Sequence, residues 1–257
     1  MALTEEQTRR YARNILMREL GPEGQEKLLA SRVLVIGAGG LGSPAALYLA
    51  AAGVGHIGIA DSDKVELSNL QRQLLHGTGD IGRPKVFSAA DSLSRLNPEL
   101  KVEAHPVFVD EDNIGALIAH YDFVLECTDN FSTKFLINDA CVRAGKPFCH
   151  GSVLRFFGQV MTWVPGQGPC YRCMFREPPP ESAATCASQA GVFGAVCGVI
   201  GSLQAMEAAK YLLGVGELLT GTLLSFDGLD MEFQRISFPE CDPDCPACGR
   251  GSALQTV

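Results

Sequence analysis

Arg32-Val-Leu-Val-Ile-Gly-Ala-Gly-Gly-Leu-Gly-Ser43 decides the fold. Arg32 to Ile36 is a short continuous apolar run, the pattern of a strand buried on both faces. Gly37-x-Gly39-x-x-Gly42 follows it directly, and Ser43 to Ala52 then has helical composition. A second run, His56 to Ala60, ends at Asp61. Strand, glycine turn, helix, strand and acid form the complete context of a dinucleotide-binding unit. The glycines allow a tight turn and let backbone N–H groups approach phosphate at a helix N-terminus. Asp61 is placed to accept hydrogen bonds from ribose hydroxyls.

The pattern continues outward. A helix is expected from Pro84 to Leu96, a third strand over Val102 to Val109, and a helix over Asp112 to Tyr121. A fourth strand is expected over Phe123 to Cys127 and a helix over Asn130 to Ala144. Strands alternating with helices imply a parallel sheet. Past residue 146 the rhythm changes. Gly158 to Val164, Thr222 to Phe226 and Met231 to Phe238 read as strands, around a long helix ending near Gly214. The fold class is therefore α/β: a Rossmann-like nucleotide-binding half, 31–150, extended by C-terminal strands of the 151–257 half into one mixed sheet. A single domain is expected over 1–257, with residues 1–30 as its N-terminal helical arm. Thr4 and Gln7 have capping-box spacing, and Gly21-Pro22 is the expected stop.

Composition narrows the function. The 257 residues are 46% hydrophobic and 19% charged, with a net charge of −8, which fits a globular chain and disfavours a nucleic-acid partner. Met1 to Gln7 is polar and has no signal-peptide core. The most apolar run, Ala190 to Leu203, is shorter than a bilayer span. No membrane partner is expected, and the compartment is expected to be cytoplasmic. There, ten cysteines point to metal or catalytic roles rather than disulfides.

The glycine fingerprint alone favours NAD. The next loop, Ser68-Asn69-Leu-Gln-Arg72-Gln73, and Arg83-Pro-Lys85 argue for a more highly charged ligand. Cations near a helix N-terminus oppose its dipole, which a bound triphosphate would offset. Thr128-Asp129-Asn130 sits past the fourth strand, where open α/β sheets place ligand chemistry. Asp129 there can hold Mg²⁺ on phosphates or cap the following helix. Cys170-x-x-Cys173 and Cys245-x-x-Cys248 have tetrahedral zinc spacing. A redox disulfide at the second pair is the alternative, and Cys241 is a fifth thiol able to replace one ligand.

These motifs resemble the ThiF/MoeB/HesA branch of the ubiquitin-activating-enzyme superfamily. Besides the segments above, Arg10-Tyr-x-Arg13, Asp61-Ser-Asp63, Cys127-Thr-Asp-Asn130 and Gly198-Val-Ile-Gly-Ser-Leu-Gln-Ala205 carry the likeness, which spans nearly the whole chain. The resemblance implies an ATP- and Mg²⁺-dependent adenylyltransferase. Its partner would be a ubiquitin-like sulfur carrier ending in Gly-Gly, whose terminal glycine becomes an acyl-AMP and later a thiocarboxylate for thiazole or molybdopterin synthesis. It implies that Gly37, Gly39, Gly40 and Gly42 cradle the nucleotide with Asp61, Asp63, Gln73 and Asn130. Asn69 would orient the phosphates, Arg72 and Lys85 contact them, and Asp129 position Mg²⁺. Arg13 would be an arginine finger lent by the second subunit of a homodimer. Zn²⁺ would sit on Cys170, Cys173, Cys245 and Cys248. Cys186 matches a loop cysteine implicated in sulfur transfer in some members and dispensable in others. Cys197 is expected in the core. The chain stops soon after Cys248, so sulfur would come from a separate donor such as a cysteine desulfurase. Glu126 departs from the Asp common in relatives. The competing functions are an NAD-dependent oxidoreductase, a tRNA-modifying ATP-dependent dehydratase of the same superfamily, and a zinc-stabilised module without turnover.

Overall fold

The computed structural model describes residues 2–178, 190–238 and 240–249. Eight strands form one sheet: β1 (Arg32–Ile36), β2 (His56–Ala60), β3 (Lys101–His105), β4 (Phe123–Glu126), β5 (Phe148–Leu154), β6 (Phe157–Trp163), β7 (Thr222–Asp227) and β8 (Glu232–Ser237). Their order is β3-β2-β1-β4-β5-β6-β7-β8. The first five are parallel, with Val33 opposite both Ile57 and Phe123. From β5 onward the pairing is antiparallel. β1 therefore has β2 on one side and β4 on the other, a topological switch point that opens a crevice beyond the strands' C-terminal ends.

The helices are α1 (Glu5–Arg10), α2 (Ala12–Ile15), α3 (Gly21–Ala30), α4 (Gly42–Ala52), α5 (Lys85–Leu96), α6 (Ile114–Ala119), α7 (Phe131–Arg143), α8 (Tyr171–Met174) and α9 (Gly194–Leu213). Side chains alternate across a strand, so β1 feeds two cores. Val33 and Val35 pack with Leu49 of α4, Val86 of α5 and Ile200 of α9 on one face. Leu34 and Ile36 pack with Ile118 of α6 and Ile137 of α7 on the other. The glycines of Gly198-Val-Ile-Gly201 let α9 come close: a Cβ on Gly201 would lie 2.4 Å from the Leu41 carbonyl.

Three details differ from the sequence expectation. The arm is broken into α1 and α2 at Tyr11, whose buried hydroxyl accepts a hydrogen bond from Asn97 at 2.9 Å. Gly21-Pro22 opens α3 instead of ending the arm, because proline is tolerated in a first turn. β5 was not anticipated. No described helix is long and apolar enough to cross a membrane.

Candidate functional site

The turn between β1 and α4 is built by contact. Gly37 has φ of +102°, and a Cβ there would lie 2.6 Å from the Cys127 carbonyl oxygen. Only glycine takes that conformation at low cost and lets the ends of β1 and β4 touch. Two side chains then fasten the turn. Asp61 accepts the Ala38 N–H at 2.8 Å and the Asp63 N–H at 2.8 Å, leaving lone pairs on both oxygens. His76 joins the Ala38 carbonyl and the Ser88 hydroxyl, each at 2.9 Å. Burial lowers the His76 pKa, so the ring is neutral.

Beside this turn lies a cleft of about 280 Å³ at the switch point. Gly37, Gly39, Gly40, Asp61, Asp63, Arg72, Gln73, Lys85, Asp129 and Asn130 all line it. Lys85 is buried and ion-paired to the exposed carboxylate of Asp63 at 2.8 Å. Arg72 donates to the Ser68 carbonyl at 3.1 Å. Gln73 is buried, and its Oε1 has no hydrogen-bond partner among the described residues. Val107, Phe108 and Val109 give one side an apolar wall, and Ser152 to Leu154 of β5 form another.

Not every expected residue faces the cleft. Gly42 starts α4 behind it; a Cβ there would lie 1.9 Å from the Gly37 carbonyl oxygen, so its role is packing. Asn69 is buried and accepts the Glu66 N–H at 3.1 Å, shaping the turn that presents Arg72. Arg13 is exposed on α2 and is not a cleft residue of its own chain. Cys186 lies outside the described residues. Cys197, expected in the core, is buried but lines the cleft. A Cβ on Gly40 would lie 2.9 Å from its sulfur.

The loop after β4 gives the capping duty to a residue other than Asp129. The cap of α7 is Asn130, whose Oδ1 accepts the Thr133 N–H at 2.9 Å. Asp129 is exposed at the cleft, and no hydrogen bond or ion pair engages it among the described residues. Its free carboxylate suits a hard cation on phosphate oxygens.

Beneath this loop is a charged cluster that sequence reasoning missed. Lys134, on α7, donates to both carboxylate oxygens of Glu126 at 3.1 and 3.0 Å. His150 contacts Glu126 Oε2 at 2.6 Å. All three residues are buried. Burial alone would raise the Glu126 pKa, but the Lys134 charge and the His150 hydrogen bond outweigh it and hold it at about 2. Burial, followed by the Lys134 charge, lowers the pKa of His150, which stays neutral. The available signal was an acid ending the apolar run Phe-Val-Leu-Glu126.

A second site lies at the opposite end of β5 and β6. The sulfurs of Cys170, Cys173, Cys245 and Cys248 all fall within 4.8 Å of one another. Their closest approaches are 3.3, 3.7 and 4.0 Å. Four thiolates around a tetrahedral zinc with ~2.3 Å bonds stand ~3.8 Å apart, so the residues fit Zn²⁺. None of the nine described cysteines is in a disulfide, and Cys241 is exposed outside the four-sulfur cluster. A complete thiolate shell leaves no open position for zinc chemistry.

The ThiF family model matches residues 11–247. The "SAMP-activating enzyme E1" of Haloferax volcanii is 48% identical over 252 residues, covering 98% of this chain and 92% of that protein. The "Sulfur carrier protein adenylyltransferase" of Thermus thermophilus is 46% identical, covering 97% and 93%. The mouse "Adenylyltransferase and sulfurtransferase MOCS3" is 48% identical, and this chain spans 54% of its length. Among solved structures, E. coli MccB superposes with a TM-score of 0.83 over 97% of this chain and 76% of that one; at 23% identity this likeness concerns the fold alone. With a family match over nearly its whole length and curated relatives near half identity, the chain belongs to the ThiF family.

Proposed function

We propose that this adenylyltransferase uses ATP and Mg²⁺ to activate the C-terminal glycine of a ubiquitin-like sulfur carrier ending in Gly-Gly. The observation that carries this reading is one cleft holding a phosphate-binding turn, one cation from the loop after β2 and another from the start of α5, and a carboxylate free of capping duty. The names of the Haloferax and Thermus relatives support the carrier as partner.

The chemistry suits these residue types. A C-terminal carboxyl has a pKa near ~3.5 and is ionised at neutral pH. No general base is required, and no described histidine lines the cleft. A carboxylate oxygen attacks the α-phosphorus, and the Pα–O bond to pyrophosphate breaks with its electron pair leaving on pyrophosphate. Catalysis then consists of in-line positioning and charge neutralisation. Arg72 and Lys85 hold the phosphates, and Lys85 exchanges its Asp63 partner for phosphate oxygen. Asp61 binds the ribose, while Val107 and Phe108 offer an apolar surface to the base. Gln73 brings its unpartnered carbonyl to a ligand donor. Bound Mg²⁺ would neutralise charge on the phosphates, with Asp129 holding it. The carrier tail would enter along Ser152 to Leu154.

The remaining roles extend this reading. The exposed Arg13 reaches a cleft only in a second copy of the chain, and exposed Leu16, Met17, Tyr48, Leu74 and Phe87 are the kind of apolar surface a homodimer covers. Zn²⁺ on the four cysteines ties the C-terminal tail to the sheet. In the cytoplasm, a persulfide charged by a separate sulfur donor attacks the acyl carbon, AMP leaves with the electron pair of the C–O bond, and a second thiol reduces the resulting acyl disulfide to the thiocarboxylate used for thiazole or molybdopterin assembly while itself entering a disulfide, with Cys186 as the candidate transfer thiol.

The test is ATP–pyrophosphate exchange with Mg²⁺, with and without carriers ending in Gly-Gly. Exchange that requires a carrier is expected, and the best carrier identifies the pathway. Absence of exchange with every carrier, in zinc-loaded dimeric protein, overturns the reading in favour of the dehydratase or a module without turnover.

A further inference from the structure

Thr128 immediately precedes Asp129, and each of its polar groups is held by the buried pair below. Its N–H donates to Glu126 Oε1 at 2.7 Å and its hydroxyl to the same oxygen at 2.5 Å. Its carbonyl accepts from Lys134 Nζ at 2.7 Å. The same ammonium donates to the Gly151 carbonyl at 2.9 Å. Gly151 lies on β5, directly before the Ser152–Leu154 wall of the cleft. Lys134 borders the cleft, yet all three of its donors are spent on protein acceptors: Glu126, Thr128 and Gly151. It therefore cannot serve as a phosphate ligand without dismantling the loop.

The cost of this arrangement argues for a purpose. Burying two charges removes them from water, and well-packed apolar residues of similar volume commonly do as well for stability. What an apolar pair cannot do is fix both peptide units that flank one residue. Here the carboxylate holds the N–H side of Thr128 and the ammonium holds its C=O side. Asp129 is the next residue, so its Cα position is set before any ligand arrives.

We propose that Lys134 and Glu126 are positioning residues that pre-set the Asp129 carboxylate for the metal on the nucleotide, and that Lys134 ties this loop to the β5 wall through Gly151. His150 completes the device by orienting Glu126 from behind. This proposal rests on the adenylation reading, in which Asp129 holds Mg²⁺.

The test uses the full-length zinc-loaded protein and the double variant Glu126→Gln/Lys134→Met, which removes both charges together and leaves neither stranded. ATP binding is measured by calorimetry across a range of free Mg²⁺, and also without divalent metal. Partners behind a metal ligand typically contribute ~10–100-fold in metal affinity. The half-saturating Mg²⁺ concentration should rise by that factor, while affinity for metal-free ATP stays within about twofold. A purely structural role would move both or neither. A folded double variant with the parent's Mg²⁺ requirement overturns the proposal. Asp129→Ala separates the two readings. If that variant keeps the parent's Mg²⁺ requirement, the metal assignment itself falls. If it loses the requirement and the double variant does not, only the positioning role falls. A measurement on the unaltered protein guards against a variant that fails to fold. Before nucleotide is added, the Thr128 amide should exchange as slowly as the amides of β4, and fast exchange there overturns the proposal.

Discussion

Gln204 is a test of how the cleft floor is held. It sits on α9 with no exposed surface. Its Nε2 donates to the Glu126 carbonyl at 2.8 Å and to the Cys149 carbonyl at 3.2 Å, and its Oε1 accepts from the Cys127 thiol at 3.5 Å. One amide thus bridges the C-terminal end of β4 to β5. Gln204→Met keeps the unbranched shape and nearly the volume but deletes both donors. Each buried carbonyl stripped of a partner costs about 1–3 kcal/mol, so the two together should cost about 2–6 kcal/mol. In a protein whose whole stability is of order 5–15 kcal/mol, that is a large fraction. The packing change adds little, since volume-conserving apolar swaps cost under about 1.5 kcal/mol. Urea denaturation of the zinc-loaded protein, followed by circular dichroism, reads the effect as a lower midpoint at unchanged m-value. A loss below about 1 kcal/mol would refute the reasoning, because it would mean that the carbonyls find water or other donors.

Three further outcomes are expected. Asn130→Ala should cost about 1 kcal/mol by removing the α7 cap, whereas Asp129→Ala should leave thermal stability unchanged and abolish pyrophosphate exchange; equal destabilisation by both would mean that Asp129 also caps. Metal removal by a chelator should lower the melting temperature by about 8–16 °C, if metal bound at a thousandfold its dissociation constant contributes about 4 kcal/mol; an unchanged scan with metal loss confirmed by elemental analysis would exclude a stabilising role. Acid should weaken the fold in two stages. His76 and His150 have lowered pKa values, so the unfolded chain binds their protons first and stability falls once the pH drops below about 6.5. Glu126, held at about 2, adds a loss as the pH falls from about 4.5 toward that value. A melting temperature that is flat between pH 7 and 5.5 would contradict the histidine assignment.

Much of the parallel half was legible because its strands are buried on both faces. Continuous apolar runs mark β1 and β4, while β2, which contains His56 and Gly58, is legible from its place between the glycine turn's helix and Asp61. β5 escaped because His150 and Gly151 interrupt its run, and both are there for tertiary reasons. The His150 ring meets Glu126, while a Cβ at Gly151 would lie 2.5 Å from the Gln204 side chain. The break at Tyr11 follows from a hydrogen bond to Asn97, 86 residues away, which no local pattern encodes. The cleft's phosphate turn, Arg72 and Lys85 were readable as motifs. The Lys134–Glu126 pair was not, because a lysine on a helix reads as solvated until a buried acid is found opposite it. Arg13 shows a different limit: its proposed partner surface lies on another copy of the chain.

The four-cysteine cluster has a topological consequence. Cys173 and Cys248 are 75 residues apart, and α9, β7 and β8 all lie between them. A metal joining them would close that segment into a ring. By analogy with a covalent cross-link of that span, ring closure removes about 4 kcal/mol of chain entropy from the unfolded state. All six residues of β8 are exposed at the edge of the sheet, where a free strand would ordinarily fray first. With metal bound at its far end, it would peel away only as far as the closed ring permits.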